Sequence, residues 1–239
     1  MAKVEITENK KLGENLFYIQ SSLSEMFNHA DCMVKTTVLG DRAKLIINCP
    51  EYYFDIINAE ISDKIAEVIT ISYKYDMFNK QLKLGGLSKE EREILLVSLI
   101  AADLEEDKKF CFEKLKGNTN VAIDGMVNFR LKPLIKKWQE IIEYMPTCFF
   151  PSQLKQFIEY LIENRKRRVY IDNGKIFDGH YRRLKKHTLI NYDKLNVIRE
   201  VILSNCGEIE INGSIPQTDE VYLKEYYGDR IIFSTGYFN

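Results

Sequence analysis

Ile94 through Ala102 is apolar nearly all round a helical projection, and a helix of that kind is stable only with protein on several sides. Its start is well marked. Ser88, with Glu91 three residues on, forms a capping box in which each side chain satisfies a backbone donor of the other. Gly117-Asn118 supplies the stop. A chain built around such an element must enclose it, and 239 residues are enough, since a chain of this length buries roughly 70% of its unfolded surface. That size suits one large domain or two or three small lobes.

The remaining elements follow from periodicity and punctuation. Leu12 to Phe27 has near-helical spacing of Leu16, Phe17, Ile19, Leu23 and Phe27. Cys32 to Leu39 and Ala43 to Asn48 are β-rich runs joined by Gly40-Asp41, which predicts a hairpin. From Pro50, suited to a first helical turn, the stripe Ile57, Ile61, Ile65, Val68, Ile69 and Tyr73 predicts a long amphipathic helix running toward Gly85-Gly86. A central helix is expected from about Asn120, bent near Lys132 because Pro133 falls inside it. It continues through Leu134, Ile135, Trp138, Ile141, Ile142 and Met145 to Pro146 and should pack against the helix capped at Ser88. After Pro151 the texture shortens, with a helix over Ser152 to Asn164 and then strands Arg168 to Asp172 and Lys175 to Asp178. Asn173-Gly174 between those strands is the strongest short signal for a two-residue hairpin turn. A helix over Leu189 to Leu203, a strand over Glu208 to Ile211, a helix over Asp219 to Tyr226 and a strand over Arg230 to Ser234 complete the chain. The fold class is therefore α+β: a helix-rich N-terminal and central region with a β-hairpin, then a small C-terminal α/β lobe with a four-stranded mixed sheet. In linear terms this is an N-terminal α+β lobe over 1–86, a central helical pair over 87–150 and a C-terminal lobe over 151–239.

Composition removes several classes of function. With 45% hydrophobic residues, 29% charged residues and a formal charge of -1, the chain is neither disordered nor globally basic, so any basic patch must be local. Cys32, Cys49, Cys111, Cys148 and Cys206 are odd in number and scattered, which predicts reduced core thiols and neither a disulfide framework nor a zinc ribbon. Met1 to Lys11 lacks the apolar region of a signal peptide, no run reaches the roughly 18–20 apolar residues of a membrane span, and a cytoplasmic location is expected. There is no P-loop, dinucleotide fingerprint, H-E-x-x-H, G-x-S-x-G or calcium-loop pattern. His29, His180 and His187 lack partners at metal-ligand spacing, so neither a metal nor a cofactor is expected.

Two polar constellations stand out. In Ile123-Asp124-Gly125-Met126-Val127-Asn128-Phe129-Arg130-Leu131-Lys132, helical steps back from Trp138, Ile135 and Leu131 put Asn128 and Asp124 on or beside the buried stripe. Buried polar groups are costly unless paired. Either Asp124 and Asn128 pair with each other and brace neighbouring backbone, with Arg130 turned to the acidic run at 104–107, or Asp124, Asn128 and Arg130 line a site for a small polar ligand. The second constellation is basic: Arg165, Lys166, Arg167, Arg168, Lys175, Arg182, Arg183, Lys185 and Lys186, nine cations against Asp172 and Asp178, with Tyr170 and Tyr181 interleaved. Such a stripe can hold phosphates and stack bases, or present a solvated face to an acidic surface.

The central motif resembles that of the YtxC family of sporulation proteins of endospore-forming Firmicutes. So do the helix through Tyr73 and Tyr75 leading to the capped helix at Ser88, and Leu189-Ile190-Asn191-Tyr192-Asp193 before the Glu208 strand. Where the family pattern has an acidic and an aromatic residue after Arg-Leu-Lys, this chain has Pro133-Leu134. The resemblance implies a sporulation-linked role and transfers no catalytic residue. The expected function is a non-enzymatic interaction or structural role with an unidentified protein partner. The alternatives are nucleic-acid or acidic-surface binding through 165–187, or ligand binding or catalysis at the Asp124 cluster.

Overall fold

The computed structural model describes residues 1–9 and 13–234, and the fold is α+β. The chain forms two compact units, each discontinuous in sequence: residues 1–76 with 105–144, and residues 77–104 with 145–239. The three linear segments drawn from sequence are thus interleaved.

The first unit is organised by β1 (Ala2–Asn9), which lies inside a four-stranded sheet of order β2-β3-β1-β4, with β2 Met33–Leu39, β3 Arg42–Cys49 and β4 Asn120–Ala122. β1 runs antiparallel to β3 (Ile6↔Leu45, Glu8↔Ala43) and parallel to β4 (Ile6↔Val121). The hairpin β2–β3 is as predicted. β1 itself has the period-2 alternation of a half-buried strand: Val4, Ile6 and Glu8 face inward, while Lys3, Glu5 and Thr7 face out. Against the inner face lies α1 (Gly13–Ser22), which is followed by α2 (Ser24–His29) and packs on α3 (Phe54–Val68). The single helix expected from Leu12 to Phe27 is broken at Leu23 (φ −107°, ψ 7°).

The long helix after Pro50 is present with its predicted stripe buried. It passes through a π-helical turn, Ile69–Tyr73, before continuing as α4 (Lys74–Gln81). A polar network ties three helices together at Glu67. Tyr18 Oη donates to its Oε2 at 2.7 Å, Lys64 Nζ to the same oxygen at 2.7 Å, and Lys108 Nζ to Oε1 at 2.8 Å. Lys108 lies on α5 (Lys89–Leu115), whose capping box forms as predicted, with reciprocal Ser88 and Glu91 contacts of 2.8 and 3.1 Å.

The continuous central helix is not formed. Residues 120–122 are β4, α6 is a single turn (Ile123–Gly125), Met126–Arg130 is a second π-helical turn, and α7 spans Lys132–Tyr144. Leu131, at φ −104° and ψ 24°, breaks the chain. Pro133 therefore sits in the first turn of a new helix, where its missing N–H costs nothing. The predicted packing of α5 on α7 occurs at Asp107, which accepts from Trp138 Nε1 at 2.8 Å.

The second unit contains the predicted four-stranded mixed sheet. Its order is β6-β5-β7-β8, with β5 Arg168–Asp172, β6 Lys175–Phe177, β7 Glu208–Asn212 and β8 Ile231–Phe233. β5 is antiparallel to β6 across Asn173-Gly174 and parallel to β7, which is parallel to β8. Val169, Ile171, Ile176, Ile209 and Ile211 form the buried face. α8 (Pro151–Ile162), α9 (Asn196–Leu203) and α10 (Gln217–Tyr227) complete the unit, with α10 against both other helices.

Gly207, just before β7, is required by close approach: a Cβ there would lie 1.9 Å from the Arg165 carbonyl oxygen. The helix expected from Leu189 starts only at Asn196, after Leu195 in the left-handed region (φ 58°). The intervening backbone has another partner, because buried Arg199 donates to the Ile190 carbonyl at 3.4 Å and the Tyr192 carbonyl at 2.5 Å. The N-terminus of α9 is capped from a distance by Asp219 Oδ1, which accepts from Val197 and Ile198 N–H at 2.9 and 2.8 Å. Cys49, Cys111 and Cys206 are buried thiols as expected, but Cys32 is half-buried and Cys148 is exposed.

Candidate functional site

In the first unit the polar residues gather at the carboxyl end of β1. The outward-facing Arg42 makes a two-pronged pair with Asp124, Nη1 to Oδ2 at 2.5 Å and Nη2 to Oδ1 at 2.9 Å, and Nη2 also donates to Thr7 Oγ1 at 3.2 Å. The Arg42 hydrogen bond, aided by its charge, holds the Asp124 carboxyl below the usual aspartate range although burial opposes this. On the inward face the Glu8 carboxyl is fully buried. Its Oε1 accepts from Asn15 Nδ2 and from Tyr73 Oη, both at 2.9 Å. Among the described residues its Oε2 has no hydrogen-bond partner. Burial pushes the Glu8 carboxyl up to about 7 despite those two donors, with Asp124 adding to the rise and Arg42 opposing it. Tyr73 reaches Glu8 from the π-helical turn of residues 69–73, and Asp124 lies in the α6 turn, two residues before the other π turn begins at Met126.

The predicted cluster of Asp124, Asn128 and Arg130 is not assembled. Asn128 and Arg130 are exposed, and the partner of Asp124 is Arg42, 82 residues away in sequence. The reason is the break at Leu131. Counting in steps of 3.6 from Trp138 is valid only along one helix, and the π turn and β4 remove that continuity. Nor does Arg130 engage the acidic run: Lys137 pairs with Glu106 and Asp107, each at 3.0 Å, and Lys74 with Asp107 at 2.8 Å. Glu8 and Arg42 were passed over in the sequence. The alternation of Val4, Ile6 and Glu8 was the signal for the first; nothing local marks the second.

In the second unit the basic stretch is largely committed to structure. Arg168 donates to Glu208 Oε2 at 2.8 and 3.1 Å and reaches Glu210 at 3.4 Å. Arg182 pairs with Asp178 at 2.8 Å. Arg167 and Lys186 donate to the Ser204 and Leu203 carbonyls, both at 3.3 Å. Cations are favoured there, at the carboxyl end of α9. Arg165 closes α8 through the Leu161 carbonyl at 3.2 Å. Arg183 and Lys185 have no ion pair among the described residues.

Tyr170 and Tyr181 do not alternate along a basic stripe but stack on each other, with ring centroids 5.0 Å apart and planes 26° apart. They form one wall of a cleft of about 200 Å3 on the outer face of the sheet, lined also by Asp172, Phe177, Glu210 and Asn212. A wider groove of about 620 Å3 between α8 and α10 is lined by mixed charges, among them Lys155, Glu159, Glu163 and Arg230.

Among the described residues no group of three or more His, Cys, Asp or Glu side chains could hold a metal ion, and no helix is long and apolar enough to cross a membrane. No protein-family model, curated protein or solved structure matches the chain.

Proposed function

We propose that this protein has a sporulation-linked, non-catalytic role as an interaction protein, with Asp124 as a brace of the first unit. Support for the brace is the Arg42–Asp124 pair, whose contacts of 2.5 and 2.9 Å join β3 to the turn after β4 and engage both oxygens of the carboxylate. Support for sporulation is the resemblance of the stretches at 123–132, 73–88 and 189–193 to the YtxC family. The cytoplasm is the proposed location and a protein the proposed partner.

The reading has a direct test. Asp124→Ala removes two charge-assisted hydrogen bonds at a partly exposed pair, so it should cost about 1–2 kcal/mol in urea unfolding. Deleting the gene in an endospore-forming host should lower the count of heat-resistant spores. Asp124→Ala should then restore sporulation once its abundance is matched to wild type. Normal spore yield from the deletion strain rejects the sporulation role. An abundant, folded Asp124→Ala protein that fails to complement rejects the brace in favour of a direct chemical role.

A further inference from the structure

We infer that β2 is a dimerisation edge, along which two copies of the chain pair antiparallel about Thr36 and join their first-unit sheets into one. β2 stands at the end of the order β2-β3-β1-β4, and a free edge presents N–H and C=O groups that another strand can bind. Natural sheets blunt such edges with short strands, proline, bulges or charge. The opposite edge, β4, is three residues long. β2 has seven, Met33-Val34-Lys35-Thr36-Thr37-Val38-Leu39, with a single charge and no proline, and it pairs residue for residue with β3 without a bulge.

The hydrogen-bond phase of the hairpin identifies the free groups. Leu39 and Arg42 flank the two-residue turn and face each other, so they exchange hydrogen bonds. The alternation of an antiparallel ladder makes Thr37, Lys35 and Met33 the other bonded positions. Val34, Thr36 and Val38 therefore direct both backbone groups away from β3. Among the described residues no other element's backbone binds them. A second β2 centred on Thr36 meets all three, because Thr36 then exchanges bonds with its own copy and Val34 with the Val38 of the other chain.

The side chains are symmetric in that same register. Met33 falls opposite Leu39, Val34 opposite Val38, and Lys35 opposite Thr37, so apolar residues meet apolar residues and no cation directly faces a cation. Met33, Val38 and Leu39 are 58%, 54% and 84% exposed, and each gains an apolar neighbour. α1 runs beside this edge: a Cβ on Gly13 would lie 4.0 Å from that of Ala43, the partner of Val38, and Gln20 accepts from Thr36 Oγ1 at 3.0 Å. Phe17, on the same helical stripe as those two residues, is 71% exposed and extends the apolar margin. A strand from a different protein has no reason to match a symmetry centred on the residue where the free backbone groups are also centred, whereas a second copy of this chain does so by construction. The pairing uses neither Arg42 nor Asp124 and is independent of the role proposed for them.

The test is the solution mass of the full chain by sedimentation equilibrium over about 1–200 μM. Wild type should pass from one to two chain masses with a Kd on the order of 10 μM, as suits a small edge-to-edge interface. Thr36→Pro removes an outward N–H without removing a bond to β3, and Val38→Lys sets a charge opposite Val34. Each should weaken the dimer by about tenfold or more, and circular dichroism and thermal melting check that each is folded. Register is read by oxidation in a Cys148→Ser background. Bonded partners have Cα atoms about 5.5 Å apart, within disulfide reach, so Thr36→Cys should cross-link two chains. Lys35→Cys should not, because its copy lies two residues along the ladder, beyond the roughly 7 Å limit. The inference is overturned by wild type that stays monomeric at about 200 μM, by folded Val38→Lys that dimerises as wild type, or by equal cross-linking at positions 35 and 36.

Discussion

Asp107→Ala should lower the unfolding free energy of this protein by about 3–5 kcal/mol, the usual cost of removing one partner from a buried ion pair. Asp107 and Lys74 are each only 1% exposed and lie 2.8 Å apart. Three elements meet at this carboxylate: Lys74 opens α4, Asp107 belongs to α5, and Trp138 Nε1 and Lys137 reach it from α7 at 2.8 and 3.0 Å. Loss of the carboxylate takes a counter-charge 2.8 Å away from the buried ammonium and the acceptor from the buried indole N–H. Lys137, 37% exposed, can turn to water and contributes little to the loss. At about 2–4 °C per kcal/mol for a chain of this size, the melting temperature should fall by roughly 6–20 °C. Replacing the pair together, as Lys74→Met with Asp107→Leu, should recover a large part of the loss, because much of the single-variant cost is a buried ammonium stripped of a close counter-charge. Urea unfolding checks both, and a single variant within about 1 kcal/mol of wild type would show that this buried network does not hold the three helices.

The second large effect is a pH dependence set by Glu8. Its carboxyl is raised from 4.5 to about 7 in the folded protein by burial, so between those values the native state holds a proton that the unfolded chain has released. Stability must then fall as pH rises through that window, by about 1.4 kcal/mol per unit, or roughly 3 kcal/mol in all, and level off above it. The groups around Glu8 do not mask this slope. Asn15 does not titrate, and burial drives the Tyr73 hydroxyl well above the window. Asp124 is lowered by Arg42, so its contribution is present throughout the window and is lost only at more acid pH. Glu8→Gln retains an acceptor for Asn15 and Tyr73 and removes the charge. It should match wild type near pH 4.5 and exceed it by about 3 kcal/mol at pH 8 in urea unfolding. A difference between the two proteins that stays constant from pH 4.5 to pH 8 would show that Glu8 is not the titrating group.

Much of this protein was set by local sequence. The capping box at Ser88, the hairpin at Asn173-Gly174 and the buried stripe from Ile57 to Ile69 follow from signals confined to one or two turns of chain. In each, backbone donors or apolar faces are satisfied by near neighbours, so the residues that decide the element are the ones that form it. The mixed sheet of the second unit followed from the spacing of such elements.

What tertiary structure alone decided lies at the joints. β1 is an eight-residue strand whose apolar alternation rests on Val4 and Ile6 alone; it becomes the link in its sheet because β3 and β4 arrive to pair with it. Helical periodicity from Trp138 places the central motif on one continuous helix. Pro133 instead opened a new helix after the break at Leu131, so Asp124 met Arg42 from another strand while Asn128 and Arg130 turned to solvent. The basic stretch divided in the same way: some of its cations close helix ends or pair with carboxylates far along the chain, and its two tyrosines stack on each other. Charge and periodicity are read along the chain, but the partner of a charge and the face of a ring are fixed by residues tens of positions away, which meet only when the sheets have closed.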